Sequence, residues 1–114
     1  MSAAIRTDEL PFHLRGNFAP VSEESTLFDL AVEGALPREL AGLYVRTGPN
    51  PKSGHSGHWF VGDGMVHGVR LENGRARWYR SRYVRTRRLE HPDAPRVSPA
   101  GEFDRTLSTA NTHV

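Results

Sequence analysis

Three histidines near the middle of the chain, His55, His58 and His67, are the residues whose type and spacing first suggest chemistry. Imidazole binds zinc, copper and iron, so the three form a possible metal cluster. Structural zinc sites usually take four protein ligands at short paired spacings, and the chain has no cysteine to complete such a set. His67 also shares one face of a predicted strand with Met65 and Val69, where a histidine is more often a hydrogen-bonded core residue than a ligand. We therefore favour loop and strand histidines over a metal site.

Seven arginines lie between Arg75 and Arg88 and form the second candidate for a functional surface. Such a cluster predicts either a patch for an anionic partner or the polar face of a strand pair, with arginines alternating against aromatic residues such as Trp78. The net charge of the chain is only +2. Because phosphate-binding domains usually carry a clearly basic charge, we favour the strand face and expect no nucleic-acid partner.

Two segments rich in glycine and proline have some features of ion- or phosphate-binding loops. Residues 62–64 (Gly-Asp-Gly) offer one carboxylate, whereas calcium needs several oxygen ligands. We predict a tight turn there, in which the glycines adopt positive φ and Asp63 caps nearby backbone amides. Residues 48–51 (Gly-Pro-Asn-Pro) lack the lysine and the following helix of a P-loop, and their prolines should end a strand. No arrangement of Ser, His and Asp stands out as a catalytic triad.

The elements that would position these residues are mostly short strands. The 114 residues include 11 glycines and 8 prolines, and 37% are hydrophobic, which favours turns and strands over long helices. The dipeptide Asn73-Gly74 is the strongest signal for a β-hairpin. We predict an all-β fold with an N-terminal arm over 1–17, a strand within 18–34, one helical turn over 35–42, a strand over 43–47, an antiparallel meander of strands over 58–61, 65–71 and 75–86, a surface excursion over 87–106, and the start of another element over 107–114.

The cellular location is predicted from what the chain lacks. It has no cysteine, which fits a reducing compartment, and its first ten residues contain no apolar region typical of a secretory signal. No stretch approaches the ~20 apolar residues of a membrane-spanning helix. We expect a cytoplasmic protein, either soluble or in peripheral contact with a membrane.

Several segments, in the same order and at similar spacing, resemble the opening of carotenoid cleavage oxygenases. They are 16–21 (GNFAPV), 34–37 (GALP) with 40–51 (LAGLYVRTGPNP), 58–67 (HWFVGDGMVH), 82–86 (RYVRT) and 109–114 (TANTHV). Each motif alone is weak, but the set covers roughly residues 16–114. The chain is therefore identified as resembling this family over most of its length.

The resemblance implies a fold and an activity for a longer protein. Family members are seven-bladed β-propellers in which four histidines from different blades hold iron(II), and they use dioxygen to cleave a conjugated double bond of a carotenoid, apocarotenoid or stilbene. They are several times longer than this chain. The resemblance thus implies that 18–114 is the N-terminal portion of one propeller domain, about one blade, truncated at its C-terminus and inactive alone.

The site residues implied by the resemblance are few. No catalytic residue, cofactor-binding residue or iron ligand is carried onto this sequence, because His67 and His113 match no ligand motif of the family. Phe60 is similar to a residue that lines the substrate tunnel in some members. Substrate identity, cleavage position, oligomeric state and the choice between oxygenase and isomerase stay open. The alternative is a small all-β binding module that uses the Arg75–Arg88 face for an anionic partner, and a natural chain end at Val114 would favour it.

Overall fold

The chain folds around one antiparallel sheet of four strands in the computed structural model, which describes residues 9–113. The strands are β1 (Ser25–Leu30), β2 (Gly42–Pro49), β3 (Gly64–Glu72) and β4 (Arg75–Tyr83), in the order β1-β4-β3-β2 across the sheet. β2, β3 and β4 therefore form a meander, and β1 lies beside the last strand instead of its neighbour in sequence. The predicted all-β fold is confirmed.

The β3–β4 hairpin follows directly from its turn residues. Asn73 and Gly74 have φ of 50° and 76°, and Glu72 pairs with Arg75 across the turn. Positive φ at both central residues is required by a type I′ turn, and Asn followed by Gly adopts it with little strain. The predicted hairpin is confirmed.

The connection between β2 and β3 is a loop whose two ends meet. Pro49 pairs with Gly64 at the end of the ladder, and the Asn50 amide donates to the Asp63 carbonyl over 2.6 Å. A surface loop of this length with adjacent ends is an Ω-loop, and residues 50–63 are called the Ω-loop below. β2 thus ends among the prolines as predicted, two residues later than the predicted strand over 43–47.

The strand predicted over 58–61 is wrong, because the stretch forms a 3-10 helix, Trp59–Val61, within the Ω-loop. The His58 side chain accepts a hydrogen bond from the Phe60 amide through Nδ1, at 3.1 Å, and the Val61 amide donates to the His58 carbonyl at 3.2 Å. These local bonds use the amides that a strand ladder would need, so the segment turns. The first strand of the meander is β2 instead.

Three further segments differ from their predictions. Within 35–42 the chain forms a hydrogen-bonded turn over 37–40 instead of a helical turn, with the Leu40 amide donating to the Pro37 carbonyl at 3.2 Å. The excursion over 87–106 begins with a one-turn helix, α1 (Arg87–Glu90), because the Thr86 hydroxyl caps the Leu89 amide at 3.0 Å. Residues 107–113 contain no helix or strand, and the Thr109 carbonyl and the Asn111 side chain bond to β3 and to the Ω-loop.

The described part of the predicted arm packs on the Ω-loop. Two 3-10 helices, Phe12–Leu14 and Gly16–Phe18, run through it, and His13 is buried with its Nε2 atom 3.1 Å from the Ser56 carbonyl oxygen. Residues 1–8 of the arm lie outside the described residues. The boundary between residues 17 and 18 stays a prediction, and it falls inside the second of these helices.

Both faces of the sheet expose apolar side chains. In one row across the strands Leu27, Tyr79, Val69 and Tyr44 are paired, and in the next row Phe28, Trp78, Arg70 and Leu43. Successive rows point to opposite faces. Leu27, Tyr44, Phe28 and Leu43 are each half or more exposed, and Phe28 reaches 65%. Neither face is therefore covered as a core face normally is.

The chain is thin and extended for its length. It measures 57 × 36 × 20 Å, with a Cα radius of gyration of 17.6 Å, whereas a compact domain of this size has about 13 Å. Met65, Tyr83 and Leu89 form a small buried cluster. Domains normally need two packed layers to bury apolar faces, and this chain has one sheet. No helix among residues 9–113 is long and apolar enough to cross a membrane.

Candidate functional site

An open cleft of about 680 Å³ lies between the Ω-loop, β2 and the helix Gly16–Phe18. Its apolar lining comes from Phe18, Trp59 and Phe60, and its polar lining includes Arg46, His67 and Asn111. We call it the aromatic cleft. Its size is within the range of small-molecule sites, and its mixture of aromatic rings with a few polar groups is typical of them.

Phe60, the predicted tunnel residue, is on the wall of the aromatic cleft. Its side chain is 74% exposed, and its ring meets the His58 imidazole edge-on at 5.0 Å between centroids. A ring this exposed leaves most of its apolar surface in water unless a ligand or another part of the protein covers it. Its assignment to a substrate tunnel stays a prediction.

Trp59, which also lines the cleft, packs against aromatic residues before β1. Its ring lies 5.2 Å from Phe12 and 5.0 Å from Phe18, both with edge-to-face geometry. Such pairs are worth about 0.5–1.5 kcal/mol beyond their buried area. The arm and the Ω-loop are therefore joined by aromatic contacts, which place one wall of the cleft against the other.

A buried asparagine at the neck of the Ω-loop joins three parts of the chain. The Asn50 Nδ2 atom donates to the Val21 carbonyl at 3.0 Å and to the Tyr83 hydroxyl at 2.8 Å, and its Oδ1 atom accepts from the Val21 amide at 2.8 Å. Burial raises the pKa of Tyr83; the hydrogen bond from Asn50 opposes this rise, and the charges of Asp63 and Glu24 add to it. Asn50 was not among the residues predicted from the sequence, and its position between two prolines is the only local signal for it.

His67 lies in the cleft as a hydrogen-bonded strand residue, as predicted. Its Nδ1 atom is 2.6 Å from the Tyr79 hydroxyl oxygen, and Arg46 is its neighbour on β2. Partial burial lowers the pKa of His67, and the nearby positive charge of Arg46 lowers it further. The neutral imidazole is therefore the form that the folded chain favours.

The three histidines of the possible metal cluster are engaged separately. His58 binds the Phe60 amide and His67 binds Tyr79, while His55 lies in the Ω-loop. Within residues 9–113 no three His, Cys, Asp or Glu side chains are grouped so that they could hold a metal ion. The described residues therefore do not fit the iron centre that the family resemblance implies.

The C-terminal segment crosses the end of the Ω-loop at very short range. The Gly64 amide donates to the Thr109 carbonyl at 2.8 Å, and a Cβ atom on Gly64 would lie 2.0 Å from the Ala110 carbonyl oxygen. At Gly62 such an atom would lie 3.0 Å from Pro49 and Pro51. Neither glycine has positive φ, so the predicted reason for them is wrong: close approach of the chain requires them. The predicted capping by Asp63 is confirmed, since its Oδ2 atom accepts from the Lys52 amide at 2.9 Å.

The arginine cluster is largely engaged within the chain. Arg82 donates to the Ser25 carbonyl at 2.6 Å, Arg85 pairs with Glu24 at 2.8 Å, and Arg80 lies 4.5 Å from the centre of the Trp78 ring. Arg87 pairs with Asp104 at 2.5 Å. These contacts support the interpretation that the arginines form the polar part of a strand pair.

The known proteins that this chain is similar to belong to the family that its motifs resemble. The sequence model of the family described as retinal pigment epithelial membrane protein matches residues 18–114. A carotenoid cleavage oxygenase of Mycobacterium tuberculosis is 54% identical over 77 residues, which are 65% of this chain and 15% of the relative. A carotenoid 9,10(9',10')-cleavage dioxygenase 1 of Arabidopsis thaliana is 52% identical over 90 residues, which are 74% of this chain and 16% of the relative. The chain thus spans about one sixth of these relatives.

Solved structures show the same relationship at the level of fold. The lignostilbene dioxygenase of Pseudomonas brassicacearum matches 90% of this chain and 24% of its own, with a TM-score of 0.62 and 30% identity. The cobalt-substituted Synechocystis ACO matches 63% of this chain and 16% of its own, with a TM-score of 0.56 and 30% identity. These neighbours are β-propellers, and the single sheet of this chain corresponds to part of one. The chain therefore belongs to the carotenoid cleavage oxygenase family, as a fragment of the propeller.

Proposed function

We propose that this chain is the N-terminal part of a non-haem iron(II) dioxygenase that cleaves a conjugated double bond of a carotenoid, apocarotenoid or stilbene. The observation that carries the proposal is identity above 50% with two carotenoid-cleaving enzymes over 77 and 90 residues. In the reaction, the carbon–carbon double bond and one dioxygen molecule are converted into two carbonyl groups. The structural likeness to a lignostilbene dioxygenase keeps stilbenes among the substrates.

The aromatic cleft is the contribution of this chain to that reaction. A polyene or stilbene is long and apolar, and the exposed rings of Phe18 and Phe60, with the half-buried ring of Trp59, offer it apolar contact. Burying such a ligand against them would exclude water and gain roughly 25 cal/mol per Å² of covered apolar area. The cleft thus supports an apolar substrate better than a charged one.

The iron would be held by residues beyond those described, because residues 9–113 supply no group of ligands. We expect the 114-residue chain, incubated with ferrous iron without oxygen and then desalted, to retain far less than one iron per chain. Stoichiometric iron that survives desalting would contradict this assignment. The whole protein, treated in parallel, is the positive control.

The decisive experiment uses the protein encoded by the full reading frame that contains this chain. It is loaded with ferrous iron and given oxygen with a carotenoid, an apocarotenal and a hydroxylated stilbene in separate reactions. We expect loss of the polyene or stilbene absorbance and two carbonyl products by mass spectrometry, abolished by chelation and restored by iron. An iron-loaded protein that leaves all three substrates intact would refute the proposal.

A cytoplasmic location with peripheral contact to a membrane is part of the proposal. Its basis is the absence of cysteine together with the apolar substrates, which partition into lipid. Fractionation of cells that produce the whole protein tests it: we expect the protein in the cytoplasmic fraction, or released from membranes by washing. Recovery only after detergent extraction would contradict it.

The alternative of a binding module for an anionic partner has no specific support. Three of the seven clustered arginines, Arg82, Arg85 and Arg87, donate to groups of this same chain, so these side chains are less available to an anionic partner. The relatives reported above are oxygenases, and none of their names refers to an anionic partner.

A further inference from the structure

The helix Trp59–Val61, which carries Phe60 into the wall of the aromatic cleft, is weakly supported by its own packing. It has three residues, none of them buried. A single turn of helix is not stable by itself, and the Phe60 ring is mostly exposed. Something other than a core must therefore fix the position of Phe60.

Asn111 provides that support through both hydrogens of one amide group. Its Nδ2 atom donates to the Phe60 carbonyl at 2.8 Å and to the Gly62 carbonyl at 2.7 Å. The two acceptors lie on either side of Val61, so the carboxamide spans the C-terminal end of the helix. Only a side chain with two donors on one atom can satisfy both carbonyls at this distance.

The backbone around Asn111 is held in place independently of that contact. The Gly64 amide binds the Thr109 carbonyl at 2.8 Å, which ties the segment to the first residue of β3. Ala110 has φ of 50°, a conformation that costs a residue with a Cβ about 1 kcal/mol or more. The strained residue turns the chain so that Asn111 meets the Ω-loop immediately after Thr109 meets β3.

We propose that Asn111 is a positioning residue that fixes the Trp59–Val61 helix, and with it the Phe60 ring, in the wall of the aromatic cleft. This inference rests on the proposed function, because it assigns to Asn111 an effect on how an apolar substrate is seated. Asn111 touches the backbone of the helix and acts on the substrate through Phe60. Loss of its two bonds should change where the substrate lies more than how fast a well-seated substrate reacts.

The test compares Asn111→Asp and Asn111→Ala with the unaltered protein, all as the whole iron-loaded enzyme. Aspartate has the same shape but replaces two donors with acceptors that face two carbonyls, so we expect it to be the more disruptive change. We expect KM for the preferred substrate to rise about 5–30-fold, which corresponds to the loss of one or two hydrogen bonds. We also expect a smaller change in kcat and an altered ratio of cleavage products. Ser108→Ala is the matched control, since among residues 9–113 the Ser108 hydroxyl accepts only from the Ala110 amide of its own segment, at 3.2 Å.

Hydrogen exchange followed by mass spectrometry separates this inference from the proposed function. In Asn111→Asp we expect peptides covering 58–62 to exchange at least tenfold faster, while those covering β3 stay as slow as before. Faster exchange with unchanged KM and product ratio would overturn the effect on substrate seating, and unchanged exchange would overturn the positioning role itself. A whole protein that cleaves nothing, but shows the exchange difference, would refute the proposed function and leave the positioning of the helix supported.

Discussion

Gly64 shows at the scale of a single residue how little space separates β3 from the C-terminal segment. The absence of a side chain lets the Thr109 carbonyl reach the Gly64 amide, and the Ala110 carbonyl occupies the place where a Cβ would be. The contact is between two backbones, neither of which can rotate away as a side chain would. Asn111 reaches the Ω-loop only because this contact brings the segment close.

Gly64→Ala should therefore destabilise the protein or release the segment around Ala110. The added Cβ would lie 2.0 Å from the Ala110 carbonyl oxygen, and overpacking of this kind costs about 1–3 kcal/mol or more. Gly57→Ala is the matched control, because nothing lies within 4 Å of its added Cβ. Urea denaturation measures both, and equal midpoints for the two variants would show that the close approach is absent.

His67 predicts a pH dependence whose sign follows from its lowered pKa. In the unfolded chain the imidazole of His67 has a pKa near 6.5. In the folded chain its pKa is lower because of burial and the positive charge of Arg46. The unfolded state thus binds more protons in the window below pH 6.5, so stability is complete above that pH and declines as the pH falls toward the lowered folded pKa.

His67→Asn isolates this contribution, because it keeps an acceptor near the Tyr79 hydroxyl and removes the titrating ring. We expect the variant to lose less stability than the unaltered protein between pH 7.5 and pH 5 in urea denaturation (the pH values are chosen to bracket the ordinary histidine pKa). Parallel declines of the two proteins over this interval would argue against His67 as the titrating group.

At the scale of elements, the Ω-loop neck joins the sheet to the segment before β1. Asn50 makes hydrogen bonds to Val21 and to Tyr83, which are 29 and 33 residues away in sequence. The neck therefore fixes both the start of the loop and the entry to β1. Because Asn50 and Tyr83 are both buried, water cannot readily replace the bond between them.

Asn50→Ala should weaken this junction more than Tyr83→Phe does. The first change removes both bonds to Val21 and the bond to Tyr83, at about 1–3 kcal/mol for each buried partner left unsatisfied. The second removes the hydroxyl, and with it the longer Tyr83–Val21 bond of 3.4 Å, but leaves both bonds between Asn50 and Val21 in place. Denaturation midpoints of the two variants test the order, and a larger loss for Tyr83→Phe would contradict it.

Local signals predicted the elements that depend on neighbouring residues. The Asn73-Gly74 turn and strands β3 and β4 follow from turn chemistry and alternation. The segment 58–61 has apolar residues suited to a strand, yet the His58 side chain captures the Phe60 amide and the chain turns. The same limit applies to the site. Phe60 was predicted from the family resemblance, whereas Asn50 and Asn111 bond to residues 29 to 51 positions away in sequence, and no local pattern marks them.

At the scale of the whole molecule, the chain is one layer of a structure that needs more than one. Its sheet exposes apolar rows on both faces, and its radius of gyration of 17.6 Å exceeds that of a compact domain of equal length. In a propeller both faces of a blade are covered by neighbouring blades. The unpaired outer edges of β1 and β2 add to the exposed surface.

The isolated 114-residue chain should self-associate through these faces. Exposed apolar patches and free strand edges promote association, so we expect sedimentation velocity to show growing oligomers as concentration rises. Phe28→Lys with Leu43→Lys should reduce association by charging one face. Phe103→Lys is the control, since Phe103 is 78% exposed but lies outside the four-stranded sheet. A wild-type chain that stays monomeric would contradict the expectation, as would an equal effect of the control.

The position of β1 beside β4 sets an order of events during synthesis. Ser25 of β1 bonds to Ser81 of β4, 56 residues later in the chain. At translation rates of about 5–20 residues per second, β1 waits roughly 3–11 s before its partner has been made. The β3–β4 hairpin, whose strands are joined by two residues, can close in microseconds once it emerges. The nascent chain therefore builds the sheet from its later strands, and its earliest strand docks last.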